Sequence, residues 1–244
     1  MKNTSKALLL TGALLLGGCA STGGNQTPGD PLEGFNRSMF EFNDTVDRVA
    51  LKPVATAYRD HLPSFVQTAV SNFFGNIGDV WIMVNNFLQG KAENGMSDLM
   101  RVAVNTTMGF GGILDIASEA GLQKHNEDFG QTLGKWGVAS GPYVVLPFFG
   151  PSTVRDTAGL PADIYGNPWT YVTPVDVRNT GAVIRVVDQR ATLLGATNLM
   201  EEAALDRYSF LRDAYLQRRQ SLVYDGNPPP APLPDYDLDD DDQP

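Results

Sequence analysis

Few residues in this chain carry the usual means of catalysis. Its 244 residues hold two histidines, His61 and His125, and one cysteine, Cys19. His125-Asn126-Glu127-Asp128 has the residue types of a metal site. Adjacent positions on one short segment seldom converge on an ion, however, and no second His-rich motif accompanies them. Ser152 lies in Gly150-Pro151-Ser152-Thr153-Val154, which lacks the Gly-x-Ser-x-Gly frame of a nucleophile elbow. A hydrolase using Ser152 and a histidine is the enzyme reading left open, and a purely structural protein is a third. Gly109-Phe110-Gly111-Gly112 has neither dinucleotide-loop spacing nor a following Gly-Lys-Ser/Thr, so it reads as a turn. No catalytic set, metal or free cofactor is expected.

Cys19 is different, because its surroundings define its chemistry. Lys2 and Lys6 precede a ten-residue apolar run, Ala7 to Leu16, and Leu16-Gly17-Gly18 leads straight into Cys19. That is a secretory leader, residues 1–18, with a small-residue cleavage site that resembles a bacterial lipobox. Cys19 then becomes a lipidated N-terminus, and acyl chains on it are the only expected prosthetic group. Each buried CH2 adds ~0.8 kcal/mol of membrane affinity, so more than one chain anchors stably. Ala20 and Ser21 are not aspartate, which in lipoprotein sorting favours the outer membrane. Residues 19–29 form a short Gly/Ser/Thr-rich tether.

The elements that follow are helical by period. Asp30 and Glu33 have capping-box spacing around Pro31, and Phe35, Met39, Phe42, Val46 and Val49 recur at three or four residues. Pro53 should end or bend this helix. Similar stripes run through Val66–Ile77 and Val80–Leu88, with Gly75 and Gly78 expected to separate two helices and Gly90 to close the second. Lys91–Met108 places Met96, Met100, Val104 and Met108 on one face. Residues 161–174, rich in proline, read as loop or broken helix. Asp176 to about Leu194 and Met200–Leu222 carry the last helices. Between Gly141-Pro142 and Gly150-Pro151 sits an apolar run, Tyr143–Phe149, too short to span a bilayer and interrupted by Pro147. It reads as an apolar hairpin with glycine hinges, either packed under helices or facing lipid.

The fold class is all-α, with a helical domain over 30–224 and an acidic Pro/Asp-rich tail, 225–244, expected to be disordered. There are 18 basic and 28 acidic residues, a net charge of −10, which becomes −12 once Lys2 and Lys6 leave with the leader. That balance argues against nucleic acid and against attraction to anionic lipid surfaces. No stretch reaches the roughly 18 apolar residues of a membrane span. Amphipathic helices seated in one leaflet, or a helical bundle in water, both fit the stripes.

The segments DPLEGFNR (30–37), LKPVATAYRDHLP (51–63), VNNFLQGK (84–91), RVAVNTTMGFGGILDIAS (101–118), DFGQTLGKWGV (128–138), GPYVVLPFFGPSTVRD (141–156) and AYLQRR (214–219) resemble those of the MlaA (VacJ) family. The resemblance implies an outer-membrane lipoprotein of Gram-negative bacteria on the periplasmic side, a ring of short amphipathic helices in one leaflet. It implies removal of phospholipid that has strayed into the outer leaflet, with a trimeric porin and the periplasmic carrier MlaC as partners. The glycine hinges make Gly141, Tyr143, Pro147, Phe148, Phe149 and Gly150 candidate gate or channel residues, with Phe42 and Asn43 as their candidate neighbours in the first helix.

Overall fold

The computed structural model describes residues 30–230; the leader, Cys19, the tether and everything beyond 230 lie outside the described residues. Helix α1 (Glu33–Val46) runs through a π-helical turn, Asp47–Leu51, into α2 (Lys52–His61). Pro53 sits in the first turn of α2, where its missing N–H costs nothing, and the wide turn before it absorbs the change of direction. Pro63 then stops α2, because the residue before a proline prefers extended backbone and Leu62 has ψ 136°. Asp30 does not cap α1 through its side chain, contrary to the sequence reading. The helix begins at Glu33 without a side-chain cap, and Asp30 is turned fully inward.

Helix α3 (Ser64–Leu88) is one helix of 25 residues, not two. Gly75 does not break it; a Cβ there would stand 3.1 Å from Lys124 Nζ, so the glycine makes room for a neighbour. Gly90, at φ +77°, turns the chain into α4 (Ala92–Thr107), and a short α5 (Ile116–Glu119) follows. Asp128 caps α6 (Phe129–Lys135) by accepting from Gln131 N at 2.9 Å. Strands β1 (Tyr143–Leu146) and β2 (Gly150–Thr153) then pair antiparallel, Tyr143 opposite Thr153 and Leu146 opposite Gly150.

Helix α7 (Val154–Gly166) starts from the Thr153 cap and continues through Pro161, the start of the stretch read from the sequence as loop or broken helix. The break is overridden by what lies past it: Asp163 accepts hydrogen bonds from Phe129 N and Trp81 Nε1, both 2.8 Å. A 3-10 turn, Pro168–Tyr171, leads to α8 (Val175–Ala203) and α9 (Arg207–Val223). The last break therefore falls at 204–206 and not near Gly195, because Asp206 caps α9 at the amides of Tyr208 and Ser209.

Packing closes these elements into a circuit. α1 lies on β1, β2 on α7, α7 on α6, α6 on α3, α3 on α8, and α8 on α2, which returns through the π-helical turn to α1. α9 crosses the hairpin side against α6 and β2, and α4 covers α3. The protein is a helical ring with one small hairpin set into it. Among the described residues, no helix is long and apolar enough to cross a membrane.

Candidate functional site

Many large apolar side chains point outward. Phe110 is 76% exposed, Phe148 74% and Phe65 73%, whereas Arg101, Asn85 and Asn86 are 0% exposed. Met96 and Met100 on α4 and Met108 just past its end are all exposed, and the buried residues of that helix are Gly95, Asp98, Arg101 and Asn105. Seventeen polar or charged residues are buried among the described residues, against ten apolar ones. A protein surrounded by water sorts its side chains the other way. Each large apolar side chain left in water forgoes about 1.5–3 kcal/mol relative to burial, so this surface is suited to hydrocarbon.

Buried and partly buried polar groups need partners, and two of the networks they form lie around Arg101 and Arg219. In the first, Arg101 donates to both oxygens of Asp115 at 3.1 Å, to Ser118 Oγ at 3.0 Å and to the Leu122 carbonyl at 2.7 Å. Asp98 lies beside it, accepting from Asn86 at 2.7 Å and facing His125 Nδ1 at 2.7 Å. Burial pushes the Asp98 carboxyl up, although His125 and Asn86 pull it the other way. In the second network, Arg219 donates to Asp128 at 2.6 Å and to Asp156 at 3.0 Å, while Tyr215 donates to Asp156 at 2.9 Å. Burial alone would raise both carboxyls; Arg219 holds them below the usual range. Arg155 joins through Asp156 at 3.0 Å.

The hairpin is tied to α1 by two asparagine side chains seven residues, or about two turns, apart. Asn36 accepts from Val145 N at 2.8 Å and donates to the Tyr143 carbonyl at 3.1 Å. Asn43 accepts from Phe148 N at 2.8 Å and donates to the Leu146 carbonyl at 2.9 Å. The two amides thus stand where a third strand would, satisfying the outer edge of β1. Phe148 takes a left-handed backbone, φ 66°, which a non-glycine residue adopts only when held. The Asn43 bond and the Phe42 ring, 5.3 Å from the Phe148 ring and perpendicular to it, hold it.

The structure therefore brings Phe42 and Asn43 together with Phe148, at the tip of the hairpin. Pro147 and Phe149 flank that tip and are exposed, while Tyr143 is buried against Tyr208 and Tyr215. Gly141 and Gly150 bound the hairpin at φ +68° and +80°. Asp225, assigned to the tail by the sequence, is held by Lys91 and by Lys135. Ser152 is bonded to Thr157 Oγ1 at 2.9 Å, and neither histidine reaches it: His125 faces Asp98, and His61 faces its own helix at the Ala57 carbonyl. Asn36, Arg101 and Arg219 escaped the sequence reading. The sequence did carry a sign of a polar interior on α3, whose polar face holds amides and a single charged side chain, Asp79, instead of the lysine and glutamate of a solvated one.

A ring with polar groups packed inside and many phenylalanines and methionines exposed is built for an apolar setting. A family model described as MlaA lipoprotein matches residues 28–222. The chain belongs to the MlaA lipoprotein family. The intermembrane phospholipid transport system lipoprotein MlaA of Escherichia coli (strain K12) is 40% identical over 240 residues, covering 96% of this chain and 94% of that one. The protein of the same name from Haemophilus influenzae is 31% identical over 241 residues, with 93% of each chain covered. A solved structure from work on the structural basis for maintenance of bacterial outer membrane lipid asymmetry is 39% identical. It superposes with a TM-score of 0.70 over 80% of this chain and 98% of that one.

Proposed function

We propose that this protein removes phospholipid from the outer leaflet of the outer membrane and passes it toward the periplasm, so that the two leaflets stay different. It sits on the periplasmic side, anchored by acyl chains on Cys19, with a trimeric porin and the periplasmic carrier MlaC as its partners. The observation that carries this reading is the inverted sorting of side chains. A phospholipid has a charged head and apolar tails, and a ring that is polar within and apolar without accommodates both in one leaflet. Transfer of a lipid makes and breaks no bond, so the chemistry needed is solvation of the head along the path. The hairpin, bounded by Gly141 and Gly150 and latched by Asn43, is the moving part.

The test is surface phospholipid in cells that lack the native protein and carry variants of this one. A cysteine pair replacing Phe42 and Phe148 should lock the hairpin to α1 when oxidised, leave phospholipid on the surface, and recover on reduction. Deleting Phe42 and Asn43 should open the gate instead, so that phospholipid leaks between leaflets in the wrong direction, since losing two residues rotates the rest of α1 by roughly 200° and removes the latch. Clearance at the normal rate by the oxidised pair would refute the moving hairpin.

A further inference from the structure

Beneath the hairpin, between α1, α8 and α9, lies a cavity of about 360 Å³. Its apolar walls include Phe40, Val145, Pro151, Leu193, Met200 and Leu211. Asp44, Asp47, Arg190 and Arg207 also line it. Arg190 is fully engaged: Nε and Nη2 grip Asp47 at 2.7 and 2.8 Å, and Nη1 donates to Thr197 Oγ1 at 3.2 Å. Arg207 is not. Its Nη2 donates to Asp44 at 2.6 Å, but Nη1 has no hydrogen-bond partner among the described residues, and Nε is buried without one. Its guanidinium lies 5.7 Å from the Phe40 ring, which fixes the plane of the group.

An orphaned buried donor is uncommon enough to need a reason. Charge supplies one. Among the ion pairs joined to these lining groups, Arg48 stands 3.7 Å from Asp44, Lys52 3.0 Å from Glu201, and Glu201 3.7 Å from Arg207. The four cations Arg48, Lys52, Arg190 and Arg207 thus face three carboxylates, Asp44, Asp47 and Glu201, leaving one positive charge over in a chain whose net charge is −10. A single anion with several acceptor oxygens, attached to apolar chains, would match this lining.

We propose that the cavity is the phosphodiester subsite of the lipid path. The Nη1 group of Arg207, joined by Nε after a small turn of the side chain, donates to the phosphate oxygens, and acyl chain lies along Leu193, Met200 and Leu211. The inference rests on the phospholipid-removing function proposed above and names what is recognised. Asp44 and Asp47 already have their guanidinium partners, so no carboxylate is left to read an amine beyond the phosphate. The protein therefore separates phospholipids from uncharged lipids and is indifferent to the headgroup.

The experiment is native mass spectrometry of the full chain in detergent, titrated with short-chain phosphatidylethanolamine, phosphatidylglycerol and diacylglycerol of equal chain length, and with inorganic phosphate. The two phospholipids should bind within about threefold of each other, with diacylglycerol and phosphate alone weaker by about tenfold or more. Arg207→Lys keeps the charge but loses the planar donors, and should weaken both phospholipids about tenfold while leaving diacylglycerol unchanged. Ala196→Trp fills the cavity from an exposed wall position and should weaken all three lipids. Equal melting temperatures show that both variants fold. An unchanged ratio of phospholipid to diacylglycerol in Arg207→Lys overturns the subsite even if cells still clear surface phospholipid. So does phosphate binding as tightly as lipid, which would make this a free-anion site, or a tenfold preference for one headgroup. A wild-type chain that does not clear surface phospholipid overturns the functional reading as well.

Discussion

Replacing Asn43 with alanine removes the latch between α1 and the hairpin tip and little else. Two hydrogen bonds are lost, Phe148 N to Asn43 Oδ1 at 2.8 Å and Asn43 Nδ2 to the Leu146 carbonyl at 2.9 Å. Both backbone groups lie near the exposed tip and can turn to other partners, so each bond is worth about 0.5–1 kcal/mol and the pair about 1–2 kcal/mol. The hairpin stays anchored at its base by Asn36, so the loss falls on local opening and not on the whole fold. An energy of 1–2 kcal/mol multiplies the open population by about 5–30. Hydrogen exchange followed by mass spectrometry should show the Phe148 amide exchanging faster by that factor, with Val145 unchanged. The left-handed φ of Phe148 adds to the effect, because only the Phe42 ring is left to oppose its strain. Unaltered exchange at Phe148 would refute the latch. Acceleration spread equally over Val145 would show that the hairpin opens as one piece.

Asn36→Ala should be much more damaging, since it leaves Tyr143 O and Val145 N without their buried partner, at about 1–3 kcal/mol for each unsatisfied group, while Asp30 keeps Tyr208 and Arg212; thermal melting reads this directly. Arg101→Met should cost about 3–5 kcal/mol, because Asp115 and Asp79 are left facing an apolar side chain, and an unchanged melting temperature would contradict it. Asp128 and Asp156 are depressed in the folded chain, so their contribution is complete above the unfolded carboxylate value near 4 and fades as pH falls below it. Melts at pH 6 and pH 3 should therefore differ less in Arg219→Met than in the wild type; an equal difference would mean that Arg219 is not the cause. Cys19→Ser should yield protein without acyl mass, and finding the normal adduct on the variant would overturn the lipobox.

Periodicity located the helices well because 3.6-residue stripes are set by the chain itself. It could not tell which medium each stripe faces: Met96, Met100 and Met108 would read the same against a protein core or a lipid tail. Glycine and proline misled wherever a partner overrode them. Gly75 is small to admit Lys124, and Pro161 is carried inside α7 by the contacts of Asp163 beyond it. The hairpin between Gly141 and Gly150 was legible from its punctuation, and so was the nearness of Phe42-Asn43 as a candidate. The use of Asn36 as a second strand partner was not, because an asparagine on a helix carries no local sign of what it faces 107 residues later. The charged interior was illegible for the same reason: Arg219 meets Asp128 and Asp156 only when three helices come together.

The lipid-facing belt is open to one direct measurement. A photo-crosslinking amino acid placed at Val49, Phe65, Phe110 or Leu199, all exposed and apolar, would be activated in living cells and its adducts identified by mass. Phospholipid adducts at all four positions are expected, with none at Asp60, an exposed polar site on α2. Adducts with water alone at the four apolar positions would contradict a ring seated in a lipid leaflet.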